Sequence, residues 1–171
     1  KDSYNRQLAE TVRSLLGDRA AFTVLDYADV PLLNQDEEYP APVPVHRVRE
    51  AVKAADGLWI FTPEYNHTFP GVLKNLIDWL SRPVSATERQ VLSRKPVAIS
   101  GITPGMSGTA TAQDQLVMLL SLLNTRIMNY PRLTIPNAKT QTDEAGRLKL
   151  TDSLPFVSDQ VEKYLAFLSK A

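Results

Sequence analysis

Four apolar residues in a row, Leu58-Trp59-Ile60-Phe61, then a polar bend and a helical repeat, constrain this chain more than any other stretch. The run is short and does not alternate, the pattern of a strand buried on both faces of a parallel sheet. Thr62-Pro63-Glu64-Tyr65-Asn66-His67-Thr68 forms the bend. Pro70 then stands where a first helical turn accepts proline, because its missing N–H would be an orphan there anyway. Val72, Leu73, Leu76, Ile77 and Leu80 recur at helical spacing, with Lys74, Asn75 and Asp78 between them. Strand, stiff polar loop and helix make up the repeating unit of an open α/β sheet. Ligands of such sheets lie against these loops, at the carboxyl ends of the strands.

The same alternation runs through the rest of the chain. Leu8, Val12, Leu15 and Leu16 predict a helix capped by Ser3 or Asn5 and stopped at Gly17. Ala21–Leu25 reads as a strand, and the stretch through Pro40, Pro42 and Pro44 as extended chain. Val45, Val48, Ala51, Val52 and Ala55 predict a second helix. A polar connection over 83–95, with a helical turn around 87–92, leads to a strand at Pro96–Ser100. That strand runs into a glycine-bearing loop, 101–108, and a helix over 109–124. A last strand, interrupted at Pro131, spans Arg126–Met128 and Leu133–Ile135. Residues 140–151 read as a surface loop, and Val157, Val161, Tyr164, Leu165 and Leu168 as a closing helix. This order argues for a three-layer α/β/α sandwich on a parallel sheet, joined by right-handed crossovers. Such sheets normally open on a central strand that feeds the first ligand loop. Here a helix comes first, so the expectation is that the chain starts inside that loop, without its opening strand.

The 171 residues suit one domain spanning 1–171, and 19 basic against 19 acidic residues leave no net charge. Neither a nucleic-acid footprint nor a polybasic membrane patch is expected. No apolar run is long enough to span a bilayer. The absence of cysteine excludes disulfides, thiolate metal sites and thiol nucleophiles, and fits a reducing, cytoplasmic setting. His46 and His67 lack ligand spacing, so no metal site is expected.

Three loops, 1–5, 62–68 and 101–108, should meet at one edge of the sheet. The first opens a helix, where Ser3, Asn5 and free N–H groups can cradle a phosphate, although plain capping is the commoner role of such residues. The third offers glycines for close backbone approach beside another helix N-terminus. In the second, Pro63 and Pro70 stiffen a backbone able to present N–H groups to a planar ring.

Residues 62–79, Thr-Pro-Glu-Tyr-Asn-His-Thr-Phe-Pro-Gly-Val-Leu-Lys-Asn-Leu-Ile-Asp-Trp, resemble the signature of the NADPH-dependent FMN reductase family. Members of that family have a flavodoxin-like fold and include quinone, azo-dye and chromate reductases. Lys1-Asp2-Ser3-Tyr4-Asn5 is similar to the end of the family's phosphate loop, and the likeness extends over roughly residues 1 to 135. The resemblance implies that Ser3, Tyr4 and Asn5 hold the FMN phosphate. It places Pro63, Glu64, Tyr65 and Asn66 along the isoalloxazine edge, mostly through backbone, with His67 at the rim. Gly101, Ile102, Thr103 and Gly105 would border the other edge. It further implies NAD(P)H as hydride donor, a small-molecule electron acceptor, and no obligatory catalytic side chain. A homodimer or homotetramer is implied, with the helix after Pro70, through Leu76 or Leu80, at the interface. Glu64 is read as structural, Trp59 and Trp79 as core or interface, Lys74 and Arg82 as solvated charges, and Leu116–Leu123 as core or a dimer face.

The alternative is a flavodoxin-type carrier that holds FMN without NAD(P)H turnover. The balanced charge speaks against it, since carriers that dock on basic partners show acidic surfaces. A third possibility is a non-catalytic module that keeps the shape alone.

Overall fold

The computed structural model describes residues 3–170. Its sheet is organised around β2, Pro96–Ile102, whose seven residues are all buried. On one side β2 pairs in parallel with β1, Leu58–Phe61, in the register Leu58 to Val97 through Phe61 to Ser100. On the other side two short strands share its length. β3, Arg126–Ile127, meets Pro96 and Val97, and β4, Leu133–Ile135, meets Ser100 to Ile102. The expected last strand is thus split. Between its halves the amide of Gln160 bridges the Ile99 and Pro131 carbonyls (3.0 and 2.9 Å), replacing ladder bonds with one buried side chain.

Five helices cover the sheet: α1 (Tyr4–Leu16), α2 (Val43–Ala54), α3 (Gly71–Ser81), α4 (Ala110–Leu122) and α5 (Leu154–Leu168). α2, α3 and α4 bury Val48, Val52, Leu73, Leu76, Ile77, Leu116 and Leu120 on one face. α1 and α5 bury Leu8, Val12, Leu16, Val157 and Val161 on the other. The result is the expected α/β/α sandwich with a parallel sheet and a flavodoxin-like arrangement.

Three local expectations fail. Ala21–Leu25 forms no strand, because a strand exists through its ladder and none of the described residues pairs with it. Phe22 instead packs with the α1/α5 cluster, meeting Phe61 edge-on at 6.4 Å, while Leu25 joins the opposite cluster. β1 is half-buried rather than buried on both faces, since its outer edge has no strand partner among the described residues. No helix forms at 87–92; a turn at 91–94 takes its place. The 140–151 loop sits on the surface as expected, with Leu150, 1% exposed, anchoring it to the core.

The long motif's helix is also more inward than the interface expectation allowed. Leu76 and Leu80 are 6% and 3% exposed, so they stabilise the chain's own core and cannot meet a second copy. Trp79 is fully buried, its indole N–H donating to the Pro31 carbonyl at 2.8 Å. Asn75 donates to the same carbonyl (2.8 Å) and accepts from the Leu33 N–H (2.9 Å). These motif residues clamp the proline-rich loop to α3.

Candidate functional site

α1 begins where the chain must be pinned. The Ser3 hydroxyl caps it by accepting from the Arg6 N–H at 3.4 Å. Asn5 is buried, its amide donating to the Ile102 carbonyl (3.0 Å) and accepting from the Ile102 N–H (3.1 Å). That bidentate pair treats Asn5 as though it were a neighbouring strand residue, and it docks the helix N-terminus on the carboxyl end of β2. The N–H groups of Tyr4 and Asn5 lie in the first turn, where a helix leaves its donors without intrahelical partners. Ile102 itself is 1% exposed and packs into the α1/α5 cluster.

The second loop leaves β1 with the Thr62 N–H donating to the Ser100 carbonyl (3.0 Å), extending the ladder by one bond. It closes on a two-residue turn in which Tyr65 and Thr68 exchange both backbone hydrogen bonds (2.9 and 3.0 Å). Asn66 and His67, at φ 52° and 61°, occupy the left-handed region that a tight hairpin turn of this hand demands. Asn and His enter that region more often than other non-glycine residues, though at a steric cost that glycine does not carry. Three bonds from α4 hold the loop. The Gln115 amide donates to the His67 carbonyl (2.7 Å) and accepts from the Thr68 hydroxyl (2.5 Å). The Glu64 carboxylate accepts from the Ala112 N–H (3.0 Å).

Glu64 is there for a specific reason. Thr109, the residue before α4, is itself left-handed at φ 73°, so its hydroxyl caps nothing. Glu64, with a side chain 7% exposed, supplies the missing cap from another loop, and a carboxylate at a helix N-terminus also suits the helix dipole. The structural role expected of Glu64 is the one it has here. His67 projects outward with its side chain 85% exposed, Nδ1 lying 3.8 Å from Glu64 Oε1.

The third loop is shaped by Gly101. A Cβ there would lie 2.0 Å from Thr109 Oγ1 and 2.6 Å from the Thr62 carbonyl, so only glycine lets these segments close up. Thr109 Oγ1 accepts from Gln113 Nε2 (3.0 Å), which also donates to the Leu133 carbonyl (2.7 Å). A fourth segment joins that sequence reasoning missed, 136–141. The Ala138 N–H donates to the Thr103 carbonyl (3.0 Å) and the Asn137 N–H to the Gly105 carbonyl (3.1 Å). The adjacent Pro136 and Asn137, a common turn pair, were the available signal.

Ser3, Tyr4, Asn5, Pro63 to His67, Thr103 and Gly105 therefore gather at one end of the sheet, while Gly101 and Ile102, expected in the loop, are the last two residues of β2 and pair with Thr134 and Ile135 of β4. Within this set Asn5 and Ile102 spend their polar groups on each other. What faces outward is the turn, with Tyr65 61% exposed, and the open backbone around Gly105. Among the described residues of the three loops the titratable side chains are Tyr4, Glu64, Tyr65 and His67, and Glu64 is occupied by α4. Among the described residues no group of three His, Cys, Asp or Glu could hold a metal ion. A polar loop edge beside a helix N-terminus suits a planar ligand carrying a phosphate.

Residues 1–140 match the family described as NADPH-dependent FMN reductase. The chain belongs to that family. A 2-hydroxy-1,4-benzoquinone reductase of Burkholderia sp. is 36% identical over 168 residues, covering 98% of this chain and 90% of that protein. An NAD(P)H-dependent FMN reductase of Pseudomonas aeruginosa is 37% identical over 161 residues, covering 94% and 85%. Among solved structures, the flavoenzyme FerB of Paracoccus denitrificans, an NAD(P)H:(acceptor) oxidoreductase, superposes with a TM-score of 0.88 at 30% identity, covering 99% of this chain and 92% of that one. As an FMN reductase family member the chain is an oxidoreductase and a flavoprotein.

Proposed function

We propose that this FMN reductase family chain takes a hydride from NAD(P)H by way of bound FMN and passes the reducing equivalents to a small oxidised acceptor of the quinone class. The observation that carries this is the turn at 64–68, locked to α4 and set beside the N-terminus of α1 across the end of β2. Such an arrangement offers a fixed polar edge and an anion site on one surface. Ser3 and the Tyr4 and Asn5 N–H groups would hold the phosphate. The backbone of Pro63, Glu64, Tyr65, Asn66 and His67 would follow one edge of the ring, with Gly101, Thr103 and Gly105 along the other and Ile102 beneath. When bound, FMN supplies the two-electron chemistry. The chain's own work is to fix the ring, keep one face open to donor and acceptor in turn, and direct N–H groups toward it.

Azo compounds, metal oxyanions and free flavin are further acceptors of the same chemical reach; the quinone class is favoured by the quinone reductases among the relatives. On this reading residues 1–171 act as one FMN-binding unit working in the cytoplasm, where NAD(P)H is supplied. No helix among the described residues is long and apolar enough to cross a membrane. For assembly we infer a homodimer, or a homotetramer built from it. Met118 and Leu122, one turn apart on α4, are 74% and 82% exposed, and Val72 on α3 is 65% exposed.

The deciding experiment is an anaerobic absorbance titration. The protein should take up FMN, bleach on addition of NADPH, and recover colour on addition of a benzoquinone. FMN uptake without bleaching would favour the electron-carrier reading, and no uptake would end both.

A further inference from the structure

The turn that carries the proposed site closes on its own Tyr65–Thr68 backbone pair, yet its tip takes a conformation that its second residue does not favour. A two-residue turn with both central residues left-handed is normally built on Asn-Gly, and here the second position is His67 at φ 61°. A histidine held there pays a steric cost that glycine does not. Proline stiffening stops at Pro63 and resumes at Pro70, so neither ring reaches the tip. The restraint comes from Gln115, 48 residues away on α4. Its Nε2 donates to the carbonyl of the strained residue itself (2.7 Å), and its Oε1 accepts from the Thr68 hydroxyl (2.5 Å). Both ends of one planar amide thus close on consecutive residues, fixing the peptide plane that follows His67.

We propose that Gln115 is a positioning residue for the flavin: it holds His67 left-handed, and so sets the direction in which Asn66 and His67, the two residues at the tip, present their backbone to the ring. Gln115 touches neither ligand nor reacting atoms; it acts through the turn. Glu64 on Ala112 secures the base of the same loop and the Tyr65–Thr68 backbone pair closes it, which leaves the peptide plane after His67 to Gln115. The inference rests on the FMN reading above and adds the residue that tunes it.

The test is FMN affinity of apoprotein, measured by quenching of flavin fluorescence. Gln115→Leu keeps the volume and removes both bonds, and should weaken FMN binding about tenfold. Thr68→Val, removing one bond, should weaken it by less. Adding His67→Gly to Gln115→Leu should restore affinity to within about twofold of wild type, because glycine holds the turn without the clamp. A generally destabilised protein would not be rescued that way. Unchanged affinity in Gln115→Leu, or a loss that His67→Gly fails to recover, overturns the clamp while leaving the FMN reading intact. Wild-type protein that takes up no FMN overturns both.

Discussion

Asn5 and Ile102, 97 residues apart, are joined by two hydrogen bonds between one side-chain amide and one residue's backbone. The N-terminus of α1 is thereby fixed to the end of β2 by geometry that a neighbouring strand would otherwise supply. Everything proposed for the phosphate depends on that attachment.

Asn5→Leu should therefore be costly. It leaves a buried N–H and a buried carbonyl on Ile102 without partners, at about 1–3 kcal/mol each. A loss of roughly 2–6 kcal/mol in urea unfolding is expected, together with weakened FMN uptake. A variant as stable as wild type would show that water or a shifted backbone satisfies Ile102.

Gly101→Ala tests the closeness of three segments. The added Cβ meets the Thr62 carbonyl at 2.6 Å as well as Thr109 Oγ1 at 2.0 Å. Overpacking of this kind costs about 1–3 kcal/mol. Adding Thr109→Gly removes only the side-chain clash, so recovery should be partial. Full recovery would mean that the Thr62 backbone moves freely, against the ladder bond it makes to Ser100.

Acid should loosen the proline-rich loop. Arg82 donates to both oxygens of Glu38 (2.8 and 3.1 Å) and holds that carboxyl below its ordinary value of 4.5. A carboxyl with a depressed folded value stabilises the fold fully above its unfolded value. That contribution disappears as pH falls through the lower, folded value. Because Arg82 is 38% exposed and screened by solvent, the effect is on the order of 1 kcal/mol. Glu38→Gln should be less stable than wild type at pH 7, with the gap closing below about pH 4.5. Unfolding midpoints that keep a constant gap down to pH 3 would count against the pair.

Assembly can be separated from folding. Met118→Glu with Leu122→Lys changes two exposed residues of α4 and should halve the sedimenting mass while leaving thermal unfolding nearly unmoved. Leu76→Glu, placing a charge in the core, should unfold the chain instead. A double variant that sediments as wild type would exclude this face of α4.

The sequence alone determined the order of helices and of most strands, the convergence of the loops at one end of the sheet and the family, because periodicity and the proline-flanked motif are local properties of the chain. Trp79 and Asn75 were legible as part of that motif, but not as the clamp on Pro31. The structure decided what depends on partners distant in sequence. Among the described residues Ala21–Leu25 has a strand's composition and no ladder, and β1 has no strand on its outer side and is half-buried for the same reason. Glu64 caps a helix that begins 46 residues later, since the left-handed Thr109 cannot. Leu76 and Leu80 share helical spacing with residues that face solvent elsewhere in the same layer, and only the packing of α3 on the sheet shows which side is inward. Hydrogen-bond pairing and burial are relations between segments, so no window of sequence contains them.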